Sequence, residues 1–287
     1  MKNIIVGIDF SPCSENAMRH ALSAATAMGS KLTLLYVMAT DARVFDDDET
    51  GGSSQLVDKV KLKLEKWADE CRKTYKNVEC KVRVASGKIF KEINAEAEEQ
   101  GEACIFVGTH GSSGFEERFI GSSAFKVVSN SSCPVFTIRE ANDINHSLEH
   151  ILLLIDANRE TMQKVKISAQ LAKAFNAKIH VLGVYTEGAN PEVIALTDAF
   201  VKRAESYMQE RNIRVEGDLM EVDPKEPEHI FEYANQKQIN LLVCMKEIEL
   251  YADRLFVLTS FNKRIVNRSP IPVLTIPVDY TIYSNLR

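Results

Sequence analysis

The chain has 287 residues, enough for one large domain or two of about 140 each. Its 45% hydrophobic content supports a real core, while a net charge of −5 gives no basic footprint for nucleic acid, and no basic amphipathic stretch marks a membrane surface. The opening MKNIIVGIDFSP reaches Asp9 after an apolar run too short for a secretory leader or a spanning helix, so a cytoplasmic protein is expected, with neither nucleic-acid nor membrane partners.

In chain order, short runs rich in Val, Ile and Leu read as strands at Asn3–Ile8, Lys31–Val37, Glu79–Val84, Ala103–Gly108 and Pro134–Ile138. They do not alternate apolar with polar, which marks strands buried on both faces of a parallel sheet. Helical patterns lie between them at Cys13–Met28, Gln55–Tyr75, Ile89–Gln100 and Ser122–Ser131. Ser11 suits an N-cap, Pro12 a first helical position and Gly29 a helix end. The plan then repeats. Strands fall near Ile151–Ile155, Lys178–Val184, Arg214–Leu219, Asn240–Met245 and Val273–Ile276, with helices including Glu160–Phe175 and Ala195–Arg211. The tail Asp279–Arg287 has no clear assignment.

The repeat is visible residue by residue. Asp9 matches Asp156 and Val37 matches Val184, both at an offset of 147, and "CPVFTIRE" from Cys133 matches "IPVLTIPV" from Ile271 at an offset of 138. A unit this long is a duplicated domain. Domains are expected at 1–140 and 148–280, divided in the polar run from Glu140 to Ser147. Each alternation of strand and helix predicts an α/β fold with an open, doubly wound, parallel five-stranded sheet and right-handed crossovers. The final strands, Pro134–Ile138 and Pro272–Ile276, offer a way for the two domains to pack as a pseudo-dimer. The six cysteines form no CxxC and no zinc spacing. Cys104 and Cys244 sit in apolar runs as core residues, whereas Cys13 and Cys133 flank tight turns and are expected to be more accessible.

In such sheets a ligand binds beyond the carboxyl ends of the strands. In the first domain those ends are Ile8-Asp9-Phe10-Ser11, Val37 and Val107-Gly108, the last entering the loop "VGTHGSSGFEERFIGSS". Gly108, Gly111 and Gly121 are spaced G-x2-G-x9-G, and Ser122 and Ser123 follow. Glycine lets main chain approach an anion closely, successive N–H groups form a nest, and a helix starting at Ser122 turns its unpaired N–H groups to the same place. The loop therefore suits a polyphosphate without a P-loop lysine.

GIDFS after the first strand, LLYV at the second, G-T-H-G-x9-G-S after the fourth and then CPVFTI together resemble the universal stress protein family. The likeness covers essentially all of the first domain, and the second completes a tandem of the same Rossmann-like, adenine nucleotide α-hydrolase-like fold. The resemblance implies an adenine nucleotide, ATP or alternatively ADP or AMP, with Mg2+ held mainly by the phosphates. It places the carboxylate of Asp9 near base and ribose, the main chain of Val37 at the adenine, and Gly108, Gly111, Gly121, Ser122 and Ser123 on ribose and phosphates, with Ile8, Phe10, Ser11, Val107 and His110 beside them. It also implies a role in stress survival, a homodimer and a stress-signalling protein partner.

The second domain departs from this pattern. Lys246 stands for Gly108, Glu249 for Gly111 and Thr259 for Gly121, with only Ser260 keeping its type, and Glu247 and Glu249 add charge that repels phosphate. The expectation is that the first domain binds nucleotide and the second serves packing, regulation or another ligand. His110 is given a loop-shaping role, because no Ser–His–Asp order or acid partner supports catalysis. Arg118 serves either a phosphate or solvent. Asp46–Glu49 is a polar loop or a lid, and Phe115, Phe119 and Ile120 pack on the sheet or meet a partner. No metal ligands and no catalytic residues are assigned. The function expected is a non-catalytic or very weakly catalytic nucleotide-binding module, the alternatives being a slow ATPase or nucleotidyl-transfer enzyme and a nucleotide-free scaffold.

Overall fold

A computed structural model describes residues 1–39, 52–110, 120–142, 148–246 and 258–279. Gly111, Arg118, Phe115, Phe119, the acidic segment Asp46–Glu49, Glu247 and Glu249 lie outside the described residues. The chain divides into two compact units, Met1–Ile144 and Asn145–Arg287.

The first unit runs β1 (Asn3–Ile8), α1 (Pro12–Met28), β2 (Lys31–Ala39), α2 (Gly52–Thr74), β3 (Cys80–Gly87), α3 (Ile89–Gln100), β4 (Ala103–Gly108), α4 (Ser122–Asn130) and β5 (Val135–Ile138). Its strands are parallel and lie in the order β3-β2-β1-β4-β5. This is the doubly wound arrangement: the chain leaves β1 toward β2 and β3, then crosses back to β4 on the other side of β1. Ile4, Ile5, Val6, Cys104 and Ile105 have no exposed surface, the consequence of helices on both faces of the sheet. Ser11 caps α1, its hydroxyl accepting from Ser14 N at 3.2 Å, and Pro12 opens the helix where a missing N–H costs nothing. Gly29 ends α1 in the left-handed region at φ 65°, donating its N–H to the Ala25 carbonyl.

The second unit runs β6 (His150–Ile155), a 3₁₀ turn (Arg159–Met162), α5 (Gln163–Phe175), β7 (Lys178–Thr186), α6 (Pro191–Gln209), β8 (Val215–Val222), α7 (Glu228–Gln236), β9 (Leu241–Met245), α8 (Leu258–Arg268) and β10 (Val273–Ile276). Its order, β8-β7-β6-β9-β10, is that of the first unit. Two helix starts differ from the sequence reading. α6 begins at Pro191 rather than Ala195, because the Asn190 side chain accepts from Glu192 N at 2.9 Å and caps it there. The helix expected from Glu160 begins instead as a 3₁₀ turn, and α-helix sets in only at Gln163. Among the described residues, no helix is long and apolar enough to cross a membrane.

Candidate functional site

The point where the first unit reverses its strand order lies between the carboxyl ends of β1 and β4, which pair from Asn3↔Ala103 to Gly7↔Val107. A cleft of about 190 Å³ opens there. Ile8 and Asp9 line it from β1, Val37 from β2, Val107, Gly108, Thr109 and His110 from β4, and Gly121, Ser122 and Ser123 from the start of α4. Ile89 and Ile93 of α3 and Val127 of α4 complete an apolar wall. The structure thus brings together Ile8, Asp9, Val37, Val107, Gly108, His110, Gly121, Ser122 and Ser123. Phe10 and Ser11 are not among the lining residues.

Both described loop glycines are places where a side chain has no room. A Cβ on Gly108 would sit 2.8 Å from the main chain and Cβ of Cys13 and 2.9 Å from Ser14 N. These atoms belong to the first turn of α1 and cannot swing aside. A Cβ on Gly121 would lie 2.9 Å from the Thr109 carbonyl oxygen, to which Gly121 N already donates at 2.5 Å. That bond draws the start of α4 onto the end of β4. Gly121 is also the N-cap of α4 and has no side chain to offer, so the helix start depends on other acceptors for its first N–H groups. Ser122 and Ser123 are exposed there. Unpaired N–H groups and the positive end of a helix dipole at the rim of a cleft suit an anion.

Asp9 is shaped by its neighbours. Its Oδ1 accepts from Ser11 N at 3.0 Å and from Ser11 Oγ at 2.5 Å, while Asp9 N donates to Ser14 Oγ at 3.4 Å. The carboxylate is therefore held by one oxygen at an exposed strand end. Ser11 Oγ also reaches the His110 carbonyl at 3.4 Å, tying the β1 end to the β4 end. His110 Nδ1 lies 3.0 Å from Thr109 Oγ1, so one ring nitrogen is engaged by its own neighbour. Phe10 has φ 63° and turns out of the cleft. It stacks on Tyr36 at 5.2 Å and meets the edge of Trp67 at 5.3 Å, with Lys63 Nζ 4.0 Å from its centroid. The sequence reading put Phe10 beside the ligand with the rest of the segment that ends β1. The left-handed backbone of Phe10 directs its ring to α2 instead. Ile120 is buried.

The matching place in the second unit holds a much smaller cavity. It is about 20 Å³, room for roughly one water. Part of the architecture persists: Asp156 N lies 3.4 Å from Thr161 Oγ1, and Asn158 N donates to Asp156 Oδ1 at 3.1 Å, as Ser14 and Ser11 do for Asp9. Asn158 Nδ2 also takes Asp156 Oδ2 at 2.8 Å, so both carboxylate oxygens are occupied. Leu154 stands where the first unit has Gly7, and Lys246 where it has Gly108.

The residue that sequence reasoning missed is Lys164. It replaces Ala17, is 2% exposed, and its Nζ donates to Thr161 Oγ1 at 2.6 Å. Burial pushes its ammonium down to about 8, against the opposing pull of Asp156, and burial likewise raises the Asp156 carboxyl. An internal cation thus stands on the floor of the second cleft. The signal was present as a lysine in an otherwise apolar helical stripe, "KVKISAQLAKAF". Cys13 is a correction as well: it is buried under Gly108, while Cys133 is half-buried. Among the described residues no group of three or more His, Cys, Asp or Glu side chains is placed to hold a metal ion.

Two five-stranded, doubly wound units, one with a main-chain-lined cleft at its switch point and one without, define a tandem α/β protein. Its family follows from comparison: the universal stress protein family model matches residues 1–139 and again residues 147–277, and the chain belongs to that family. A universal stress protein of Bacillus subtilis, YxiE, is 31% identical over 146 residues, covering 47% of this chain and 97% of that protein. A universal stress protein of Methanocaldococcus jannaschii, MJ0531, is 28% identical over 151 residues, covering 48% of this chain and 82% of the other. The crystal structure of a universal stress protein from Archaeoglobus fulgidus has the same fold across the whole length, with a TM-score of 0.75, 17% identity and 97% of each chain covered.

Proposed function

We propose that the first unit binds an adenine nucleotide, ATP in the first instance, and that the protein acts as a stress-responsive binding module with little or no turnover. The observation that carries this reading is the contrast between the two clefts: about 190 Å³ bordered by glycine main chain and a helix start, against about 20 Å³ floored by Lys164. The first unit fits the group on its own terms. Gly108 and Gly121 let β4 and the start of α4 pack against α1 and Thr109 where a Cβ would clash, and both line the cleft; the Ser122 and Ser123 end of α4 faces the phosphates, Asp9 stands at the ribose side, and Ile8, Val37, Ile89 and Ile93 offer an apolar bed for the base. Mg2+, if bound, is held by the phosphates. The second unit, with Asp156 saturated and Lys164 in place, takes no nucleotide and serves packing or regulation.

Titration of ATP, ADP and AMP, with and without Mg2+, into the full chain tests the proposal. One nucleotide per chain is expected, lost with Gly121→Val. Two equivalents per chain, or none with any of the three, would refute it. Repeated turnover of labelled ATP would refute the non-catalytic part alone.

A further inference from the structure

We propose that the outward face of α6 is a self-association surface, on which a second copy of this chain docks its own α6 antiparallel about a two-fold axis. α6 buries one stripe, Thr197, Val201, Ala204 and Met208, at the spacing of a helix laid on a sheet. Two glycines bring that stripe close. A Cβ on Gly183 of β7 would lie 2.7 Å from Val201 and 2.9 Å from Thr197, and one on Gly217 of β8 would lie 2.8 Å from Val201. The opposite side of such a helix is ordinarily charged. Here it is not. The opening stretch of α6, "PEVIALTDAF", carries no lysine or arginine, and Val193, Leu196, Ala199 and Phe200 form a second apolar stripe on the side away from the sheet. Leu196 is 44% exposed, Ala199 is exposed, and Val193 and Phe200 are half-buried. α2, which holds the same place in the first unit, carries exposed Lys59, Lys61, Lys63 and Lys66 instead. One leucine in water is ordinary, but an apolar stripe on a helix whose inner stripe is already buried marks a contact surface.

The charges around the stripe say what covers it. Asp198 and Lys202 pair with each other at 2.5 Å, and the Arg211 guanidinium lies over the Tyr207 ring at 3.5 Å, so the open stretch runs from Glu192 to Arg203. Both of these residues are exposed, and among the described residues neither has an ion-pair partner. They stand about three turns, or about 16 Å, apart on the same flank of the stripe. A stretch that is acidic at one end, basic at the other and apolar between is complementary to itself reversed. Turning a second α6 antiparallel about the point between Thr197 and Asp198 sets each Glu192 opposite the other copy's Arg203. The same turn sets each Leu196 opposite the other copy's Ala199, large against small. A copy docked parallel would instead set glutamate on glutamate and arginine on arginine. The antiparallel contact uses the same patch on both copies, so it closes at two. No residue of α6 lines either cleft, which keeps this association independent of nucleotide binding.

Sedimentation velocity of the full chain over a range of concentrations tests this. The wild type is expected to pass from one copy to two as concentration rises. Leu196→Asp, which puts a charge at the centre of the contact, should keep the chain monomeric. Glu192→Arg or Arg203→Glu alone should weaken association about tenfold or more, because the two-fold axis repeats each like-charge pair at both ends. The double swap, Glu192→Arg with Arg203→Glu, should return association to the wild-type range. The two positions are too far apart on one helix to touch, so only a second copy can deliver that rescue. All three positions are exposed, and thermal unfolding of each variant as for the wild type separates lost association from lost folding. A chain that stays monomeric at every concentration, a dimer that Leu196→Asp leaves intact, or single and double swaps that weaken it alike would overturn the proposal.

Discussion

Gly121→Val offers the sharpest test of how the first cleft is built. Its Cβ would lie 2.9 Å from the Thr109 oxygen, a main-chain atom already bonded to Gly121 N at 2.5 Å. The clash is relieved only by parting α4 from the end of β4. The lost hydrogen bond and the overpacking together cost about 2–4 kcal/mol, a fall of about 5–15 °C in melting temperature for a unit of this size. Any phosphate held by the α4 start then loses one or two charge-assisted hydrogen bonds. At about 1.5–3 kcal/mol each, this weakens nucleotide binding by about 10-fold or more. Calorimetric titration of Mg·ATP, with Trp67 emission as a parallel signal, measures it. Gly29→Ala is the control: Gly29 has φ 65° and a Cβ there would meet nothing within 4 Å, so alanine costs about 1–2 kcal/mol of backbone strain far from the α4 start. Should Gly121→Val remain folded and bind within twofold of wild type, or lose no more than Gly29→Ala, the α4 start does not hold the phosphates.

Other outcomes follow from buried charge in the second unit. Asp156→Asn should cost about 2 kcal/mol at neutral pH because the buried Lys164 ammonium loses its carboxylate, and adding Lys164→Met should restore most of it; an unchanged or raised melting temperature for the single variant would contradict this. With Lys164 held at about 8 against 10.5 when unfolded, the unfolded chain keeps a proton that the folded one releases between those values. Stability of the second unit should therefore rise with pH across that window by about 3 kcal/mol, a rise absent from Lys164→Met. His180 is 2% exposed, its Nδ1 lies 2.8 Å from Glu216 Oε1, and burial pushes it down to about 4 from 6.5. The unfolded chain again binds the extra proton, so stability should be lost as pH falls from about 6.5 toward 4, and chemical denaturation of His180→Phe should show a flatter acid limb over that range.

The sequence by itself determined the fold, the duplication and most of the first cleft. Strands such as Ile4–Val6 announce burial on both faces through local composition, Ser11-Pro12 and Gly29 set helix ends by local stereochemistry, and Gly108, Gly121 and Ser122 reveal themselves through spacing. All of these are short-range signals. What the tertiary structure alone decided concerns neighbours far apart in the chain. Phe10 leaves the cleft because its left-handed backbone and the rings of Tyr36 and Trp67 draw it to α2. Gly108 matters because the first turn of α1, almost a hundred residues earlier, presses against it. Lys164 becomes the floor of the second cleft only once Asp156 and Thr161 surround it. Arg72 likewise fastens α2 to β3 only because the fold brings the Cys80 carbonyl to its guanidinium. Propensity and capping act along the chain and can be read there; steric room and desolvation depend on what folds in from elsewhere.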